Sequence, residues 1–143
     1  MTVSLREATR DERQRLDGLL AEYLFEFDER TGVYPELDTY WEDPERRPFL
    51  IEFDGEIVGL CLIQHRDGGW SIREFWVHPD QRRSGVGRAA VDVVAERGRT
   101  DGAAHLEAKV HPDNREALPF WLAVGFNEVK GPGTGVTITR RSL

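Results

Sequence analysis

Two glycines one residue apart, Gly85 and Gly87, stand in the stretch Arg82-Arg83-Ser84-Gly85-Val86-Gly87-Arg88, directly before an alanine- and valine-rich run. Glycine permits the backbone torsions and close approach that turn successive N–H groups toward one anion. A helix starting near Gly87 would add its free N-terminal donors and the positive end of its dipole. With Arg82, Arg83 and Arg88 around it, the loop is built for a diphosphate. A P-loop is excluded, because no Gly-Lys-Ser/Thr follows the glycines. Gly85-Val86-Gly87-Arg88-Ala89-Ala90 matches a dinucleotide fingerprint in form, with Glu107 about twenty residues on. That motif turns straight out of its strand, however, and here Gly85 lies eight positions after Val77. A second chemical group is the carboxylate of Glu74. Strand alternation puts it on one face with Ile72 and Trp76, where apolar neighbours would raise its pKa. The other reading is a surface carboxylate paired with Arg73 or another arginine.

The elements that carry these residues follow from periodicity. Val3 and Leu5 alternate with polar neighbours as a short strand. Thr9-Arg10-Asp11-Glu12 has capping-box form, and Leu16, Leu19, Leu20, Tyr23, Leu24 and Phe27 then recur at helical spacing. From Thr31 to Pro48 the pattern dissolves into a loop or short helices, with Tyr34, Tyr40 and Trp41 as local core or as a pocket wall. Strands at 49–53, 57–63 and 70–77 are joined by turns at Asp54-Gly55 and at Arg66 to Gly69. A helix ending near Gly98, a strand at 104–110, a helix opened by Asp113-Asn114-Arg115-Glu116 and ended by Gly125, and strands at 126–129 and 135–140 complete the order. Pro119 should bend or shorten that last helix. The expected fold is α/β in the sense of a mixed α+β sheet flanked by helices, with residues 1–143 as one domain.

Composition narrows the function classes. The 143 residues carry a net charge of −7, with −9 in residues 1–60 and +2 in residues 61–143, and 17 of the 19 basic side chains are arginine. A nucleic-acid binder usually has a basic excess, so no nucleic-acid partner is expected. No apolar run is long enough for a spanning helix, and Met1 to Arg6 does not read as a signal peptide, so no membrane partner and a cytoplasmic location are expected. The single cysteine, Cys61, sits in an apolar strand and reads as buried and inert. Histidines or acids at metal-ligand spacing are absent, so no metal is expected.

The loop residues, preceded by Val77-His78-Pro79, resemble the pyrophosphate loop of the GNAT N-acetyltransferases, Arg/Gln-x-x-Gly-x-Gly/Ala after a strand ending in valine. A second signature of that superfamily, Asn-x-x-Ala followed by an aromatic and Gly-Phe, is matched by Asn114, Ala117, Trp121, Gly125 and Phe126. The order of elements is also the GNAT order, so the resemblance covers nearly the whole chain. Arg73-Glu74-Phe75-Trp76-Val77 with Phe120-Trp121 looks like a small bacterial subgroup without clear substrate assignment.

The resemblance implies a mostly antiparallel sheet of about seven strands whose central pair splays apart, and acetyl-coenzyme A as co-substrate. It implies that Phe75, Trp76 and Val77 present main-chain groups to the pantetheine arm, with the Val77 N–H stabilising the thioester oxyanion. Arg82 through Arg88 (Arg82, Arg83, Ser84, Gly85, Val86, Gly87 and Arg88) would hold the pyrophosphate. Asn114 would touch the pantetheine or cap a helix, and Phe120 and Trp121 would line the thiol end or simply pack in the core. Glu74 would be the general base for a small-molecule or peptide amine acceptor. Many family members have a tyrosine acid where Trp121 stands, and an indole cannot fill that role. Tyr34, Tyr40, His78 and His111 are left as unranked alternatives, and a non-catalytic acyl-coenzyme A sensor as the alternative function. A homodimer is common in the family. The acidic first half, with Glu26, Asp28, Glu36 and Asp38, suggests a small cationic amine or a plain solvated surface.

Overall fold

The structure, a computed structural model, describes residues 2–28, 34, 36–131 and 135–143. The side chains of Phe27 and Asp28, and residues 31–33 and 35 of the segment read as loop, lie outside the described residues. Strand β1 (Val3–Glu7) leads to a 3-10 turn at Arg10–Glu12 and helix α1 (Arg13–Asp28). Glu12 closes the turn as its sequence position predicts, accepting from the Thr9 backbone N–H at 3.0 Å. The short helix α2 (Thr39–Glu42) follows, and then the meander β2 (Arg46–Phe53), β3 (Glu56–Arg66) and β4 (Gly69–Val77). Both hairpin turns have two successive residues at positive φ, 51° and 87° at Asp54-Gly55 and 53° and 77° at Asp67-Gly68, which matches the right-handed strand twist.

Beyond the meander come helix α3 (Val86–Thr100), β5 (His105–Val110), helix α4 (Leu118–Ala123), β6 (Asn127–Lys130) and β7 (Thr137–Ser142). The seven strands form one sheet in the order β1-β2-β3-β4-β5-β7-β6, and β4–β5 is its parallel pair. Each face has its own core. Val86, Ala90, Val91, Val94 and Ala95 of α3 pack on one face with Ile51, Cys61, Ile63 and Ile72; each buried valine contributes about 1.5–3 kcal/mol. Leu16, Leu19 and Leu20 of α1 and Tyr40 of α2 pack on the other with Leu50, Leu60, Leu62 and Trp76, and Tyr34 and Trp41 lie half-buried against them. Burial in the first core pushes the Cys61 thiol far up, as an inert cysteine requires.

The segment after β5 differs from expectation. Residues Pro112–Ala117 form a 3-10 turn rather than the first turns of a helix, and Asn114 inside it is non-helical at φ −133°, ψ 41°. Asn114 therefore caps no helix. Helix α4 starts four residues later and holds Pro119 in its first turn, where the missing N–H would have no partner anyway. Pro119 starts a helix instead of bending one.

Candidate active site

The cleft that gathers the loop residues exists because β4 and β5 part. Their parallel pairing covers three positions, Trp70 with Leu106, Ser71 with Glu107 and Ile72 with Ala108. Beyond Ile72, β4 stays on β3 as far as the Gly59–Val77 pair, while β5 stays on β7 up to Val110. Into this divergence opens a cleft of about 420 Å³ lined by Phe75, Trp76, Val77, Arg82, Arg83, Gly85, Gly87, Arg88 and Phe120. Rings tie its floor together: Phe75 stacks on Phe120 at 5.8 Å, and Trp121 meets Phe75 edge-on at 5.5 Å and Phe126 at 5.0 Å.

The main chain at the end of β4 is aimed by its hydrogen bonds. The His78 N–H donates to the Val58 carbonyl at 2.7 Å on the β3 side, so across that planar peptide the Val77 carbonyl points into the gap. The Trp76 carbonyl lies against Gly59 of β3, so the Val77 N–H also points into the gap. Alternation gives Phe75 the same outlook as Val77. Of the three residues expected to offer main-chain groups, Trp76 is the exception: it lines the cleft but turns its carbonyl to β3.

At the mouth of the gap the two glycines work differently. Gly85 needs its torsions, with φ +84° just before α3. Gly87 needs its size, because a Cβ there would stand 3.3 Å from the Phe120 ring. Arg82 donates from Nε to the Val77 carbonyl at 3.0 Å and pairs through Nη2 with Glu26 of α1 at 2.6 Å. Arg88 donates to the Ala123 carbonyl at 2.7 Å, tying α3 to α4. The Ser84 hydroxyl turns back to the Gln81 carbonyl at 2.6 Å, and the Val86 side chain is fully buried in the core. Neither side chain lines the cleft, and neither do Asn114 or the buried Trp121, which serves as core. The cradle thus offers helix-end N–H donors and three guanidinium groups to an anion.

Glu74 faces the other way. Leu62 pairs with Glu74 while the next residue of β3, Ile63, pairs with Ile72, so Arg73 is an extra residue, a β-bulge. The bulge reverses the alternation: Ile72 points into the α3-side core, and Glu74 joins Trp76 on the α1 side. The expectation that Glu74 shares a face with both is corrected for Ile72. Glu74 accepts a hydrogen bond from the Tyr23 hydroxyl of α1 at 3.2 Å. Burial pushes its carboxyl up to about 7, against the opposing effects of that bond and of the Arg73 charge. The phenols of Tyr23 and Tyr34 are pushed well above their ordinary range by burial and then by the Glu74 charge. Tyr23 carried only a helical-core meaning in the sequence; a tyrosine among leucines on one helix face was its sole signal.

Of the other groups left unranked, His78 packs edge-on to Trp76 at 5.6 Å, and His111 is exposed in the turn after β5. Of the four acids singled out in the first half, three are met by arginines. Glu26 pairs with Arg82, Glu36 with Arg46 at 3.2 Å, and Asp38 with Arg13 at 2.5 Å; the Asp28 side chain lies outside the described residues. Among the described residues no three metal-ligating side chains converge, and no helix is long and apolar enough to cross a membrane.

The sequence model of the Acetyltransferase (GNAT) family matches residues 13–126. The chain belongs to this family. An uncharacterized N-acetyltransferase of Methanocaldococcus jannaschii is 31% identical over 94 residues, 58% of this chain and 41% of that protein, so the match spans about two-fifths of that relative's length. The crystal structure of an acetyltransferase from Thermus thermophilus superposes with TM-score 0.78 at 26% identity, covering 100% of this chain and 98% of that one. A PaiA N-acetyltransferase from Thermoplasma acidophilum, in complex with coenzyme A, superposes with TM-score 0.78 over the whole of both chains at 11% identity, a likeness of fold. GNAT proteins are acyltransferases, and the fold built on this mostly antiparallel seven-stranded sheet with one parallel pair is the fold of the acetyltransferase structures it superposes on.

Proposed function

We propose that the protein transfers an acetyl group from acetyl-coenzyme A to a primary amine by direct attack within a ternary complex. The observation that carries this reading is the parting of β4 from β5 beyond Ile72 and Ala108, at the mouth of an arginine-lined anion cradle and with a half-buried carboxylate on the opposite face. Acetyl-coenzyme A would supply an activated thioester at the end of an extended, hydrogen-bonding arm attached to a diphosphate. The chain's residues fit each part. Arg82, Arg83 and Arg88, with the N–H groups around Gly85 and Gly87, receive the diphosphate. Phe75 and Val77 offer main-chain groups to the arm as a missing strand would. The Val77 N–H, which points into the gap, would donate to the thioester oxygen as negative charge develops on it.

Glu74 would take a proton from the acceptor's ammonium so that the neutral amine attacks the thioester carbonyl; the C–S bond breaks, and the coenzyme A thiolate is protonated by the product nitrogen or by water. A base is most effective with a pKa near the working pH, and burial brings Glu74 to about 7. The amine therefore approaches from the α1–α2 side while the arm enters from the α3–α4 side. Because Glu26, Glu36 and Asp38 are already paired, Glu74 is the carboxylate best placed to meet a cationic amine, small molecule or peptide.

The test is free-thiol release from acetyl-coenzyme A with a panel of polyamines, aminoglycosides, amino acids and peptide N-termini. Turnover with at least one primary amine is expected, falling about 100-fold or more in Glu74→Gln while coenzyme A binding is kept. Binding without thiol release across the panel would favour a sensor, the reading left open by a tryptophan, Trp121, where many family members have a tyrosine acid.

A further inference from the structure

We propose that Tyr23 is a positioning residue for Glu74, its hydroxyl holding the carboxylate form and fixing Oε2 so that Oε1 is left for the acceptor. This rests on the reading of Glu74 as the base. The geometry comes from two independent elements. The bulge at Arg73 turns Glu74 out of the α3-side core, and α1 places the Tyr23 hydroxyl 3.2 Å from Oε2. A phenylalanine would serve the apolar packing of α1 equally well, so packing alone does not account for the hydroxyl.

The direction of the bond is fixed. With its phenol pushed far above the physiological range, Tyr23 keeps its proton and donates. A donor to a carboxylate favours the ionised form, whereas burial favours the neutral acid. The other groups acting on Glu74 are Arg73 on its own strand, which favours ionisation, and Glu36 before α2, which opposes it. Tyr34 and Tyr40 stand on the α2 side, each sensing the Glu74 charge, and Leu62 faces Glu74 across β3. Arg73 and Glu36 carry opposite signs, so the neutral donor in direct contact is the main counterweight to burial, which still holds the carboxyl above its ordinary range. Without it, burial would be less opposed and the carboxyl would keep its proton to a higher pH.

The experiment compares the wild type with Tyr23→Phe and Glu74→Gln. Carbon-13 NMR of protein labelled at the glutamate carboxyl follows the Glu74 titration, assigned by its loss in Glu74→Gln. In parallel, kcat/KM for acetyl-coenzyme A with the most active amine of the panel is recorded from pH 5.5 to 9.5. In Tyr23→Phe the Glu74 titration and the acidic limb of kcat/KM should both move up by about one pH unit, a roughly tenfold loss at pH 6 that is largely recovered at pH 9. A purely structural role would lower activity evenly across the range and leave the titration in place, which overturns the proposal. If Glu74→Gln keeps turnover and the acidic limb, the base reading fails. If Glu74→Gln is inactive but Tyr23→Phe titrates like the wild type, the Tyr23 assignment alone fails.

Discussion

Arg82 and Glu26 join the anion cradle to helix α1: the guanidinium lies 2.6 Å from the carboxylate while its Nε donates to the Val77 carbonyl in the gap. The His78 ring also lies 3.9 Å from the Glu22 carboxylate of α1. A diphosphate in the cradle must therefore share Arg82 with α1, the helix that also carries Tyr23. Freeing Arg82 by Glu26→Gln should tighten coenzyme A binding about threefold, the scale of a half-exposed ion pair, and Arg82→Gln should weaken it about tenfold. Calorimetric titration with coenzyme A checks both; weaker binding in Glu26→Gln would mean that Glu26 orients Arg82 rather than competing for it.

Gly59 sets how closely β3 and the end of β4 approach. A Cβ at this position would overlap the Trp76 carbonyl oxygen and crowd the Val77 Cα. Gly59→Ala is expected to displace the end of β4 and to cost about 3 kcal/mol in stability, at the upper end for overpacking. Because the displaced strand carries the Val77 N–H, coenzyme A affinity should fall as well. Urea unfolding and calorimetry on one sample measure both effects.

Glu74 should make the fold less stable as the pH rises. Its carboxyl titrates at about 7 in the folded chain against 4.5 ordinarily, so the folded state favours the proton. That contribution is complete below pH 4.5 and is lost as the pH rises to 7. Glu74→Gln removes the penalty and should stabilise the protein by about 2 kcal/mol at pH 8, with little difference at pH 4. Thermal unfolding at the two pH values tests this; equal shifts at both would contradict the cause assigned.

Glu12 should behave in the opposite sense. The hydrogen bond from Arg6 at 2.6 Å, followed by the Thr9 backbone N–H, holds its carboxyl at about 2. The stability it contributes is present above pH 4.5 and lost as the pH falls through 2. Glu12→Ala should cost about 1 kcal/mol at pH 7, the scale of a capping interaction beside a half-exposed ion pair, and progressively less below pH 4. Urea midpoints across that range provide the check.

Much of this protein is local, and the local part can be read from its residues. Asp54-Gly55 and Asp67-Gly68 are tight hairpin turns because only a few residue types tolerate two successive positive φ values. Thr9 and Glu12 close the entry to α1 because each reaches the other's backbone within one turn. Gly85 lies in the left-handed region just before α3, and the apolar period of α1 marks the face that packs on the sheet. The meaning of the charge division is not local: Glu26 and Arg82 are 56 positions apart, and their pairing depends on where α1 crosses the loop.

Tertiary structure alone decided the chemistry of Glu74. The bulge at Arg73 exists because Leu62 and Ile63 are neighbours on β3 while their partners on β4 are two residues apart, a fact of register with no mark in composition. That one extra residue moves Glu74 from one core to the other and brings it to Tyr23. Asn114 departs from its helical expectation as well, lying at non-helical torsions inside the 3-10 turn Pro112–Ala117. Residue types and spacing along the chain specified an anion cradle and a candidate base. Which face the base looks to, and what it touches, depended on strand register and helix placement, because those arise from contacts between residues far apart in sequence.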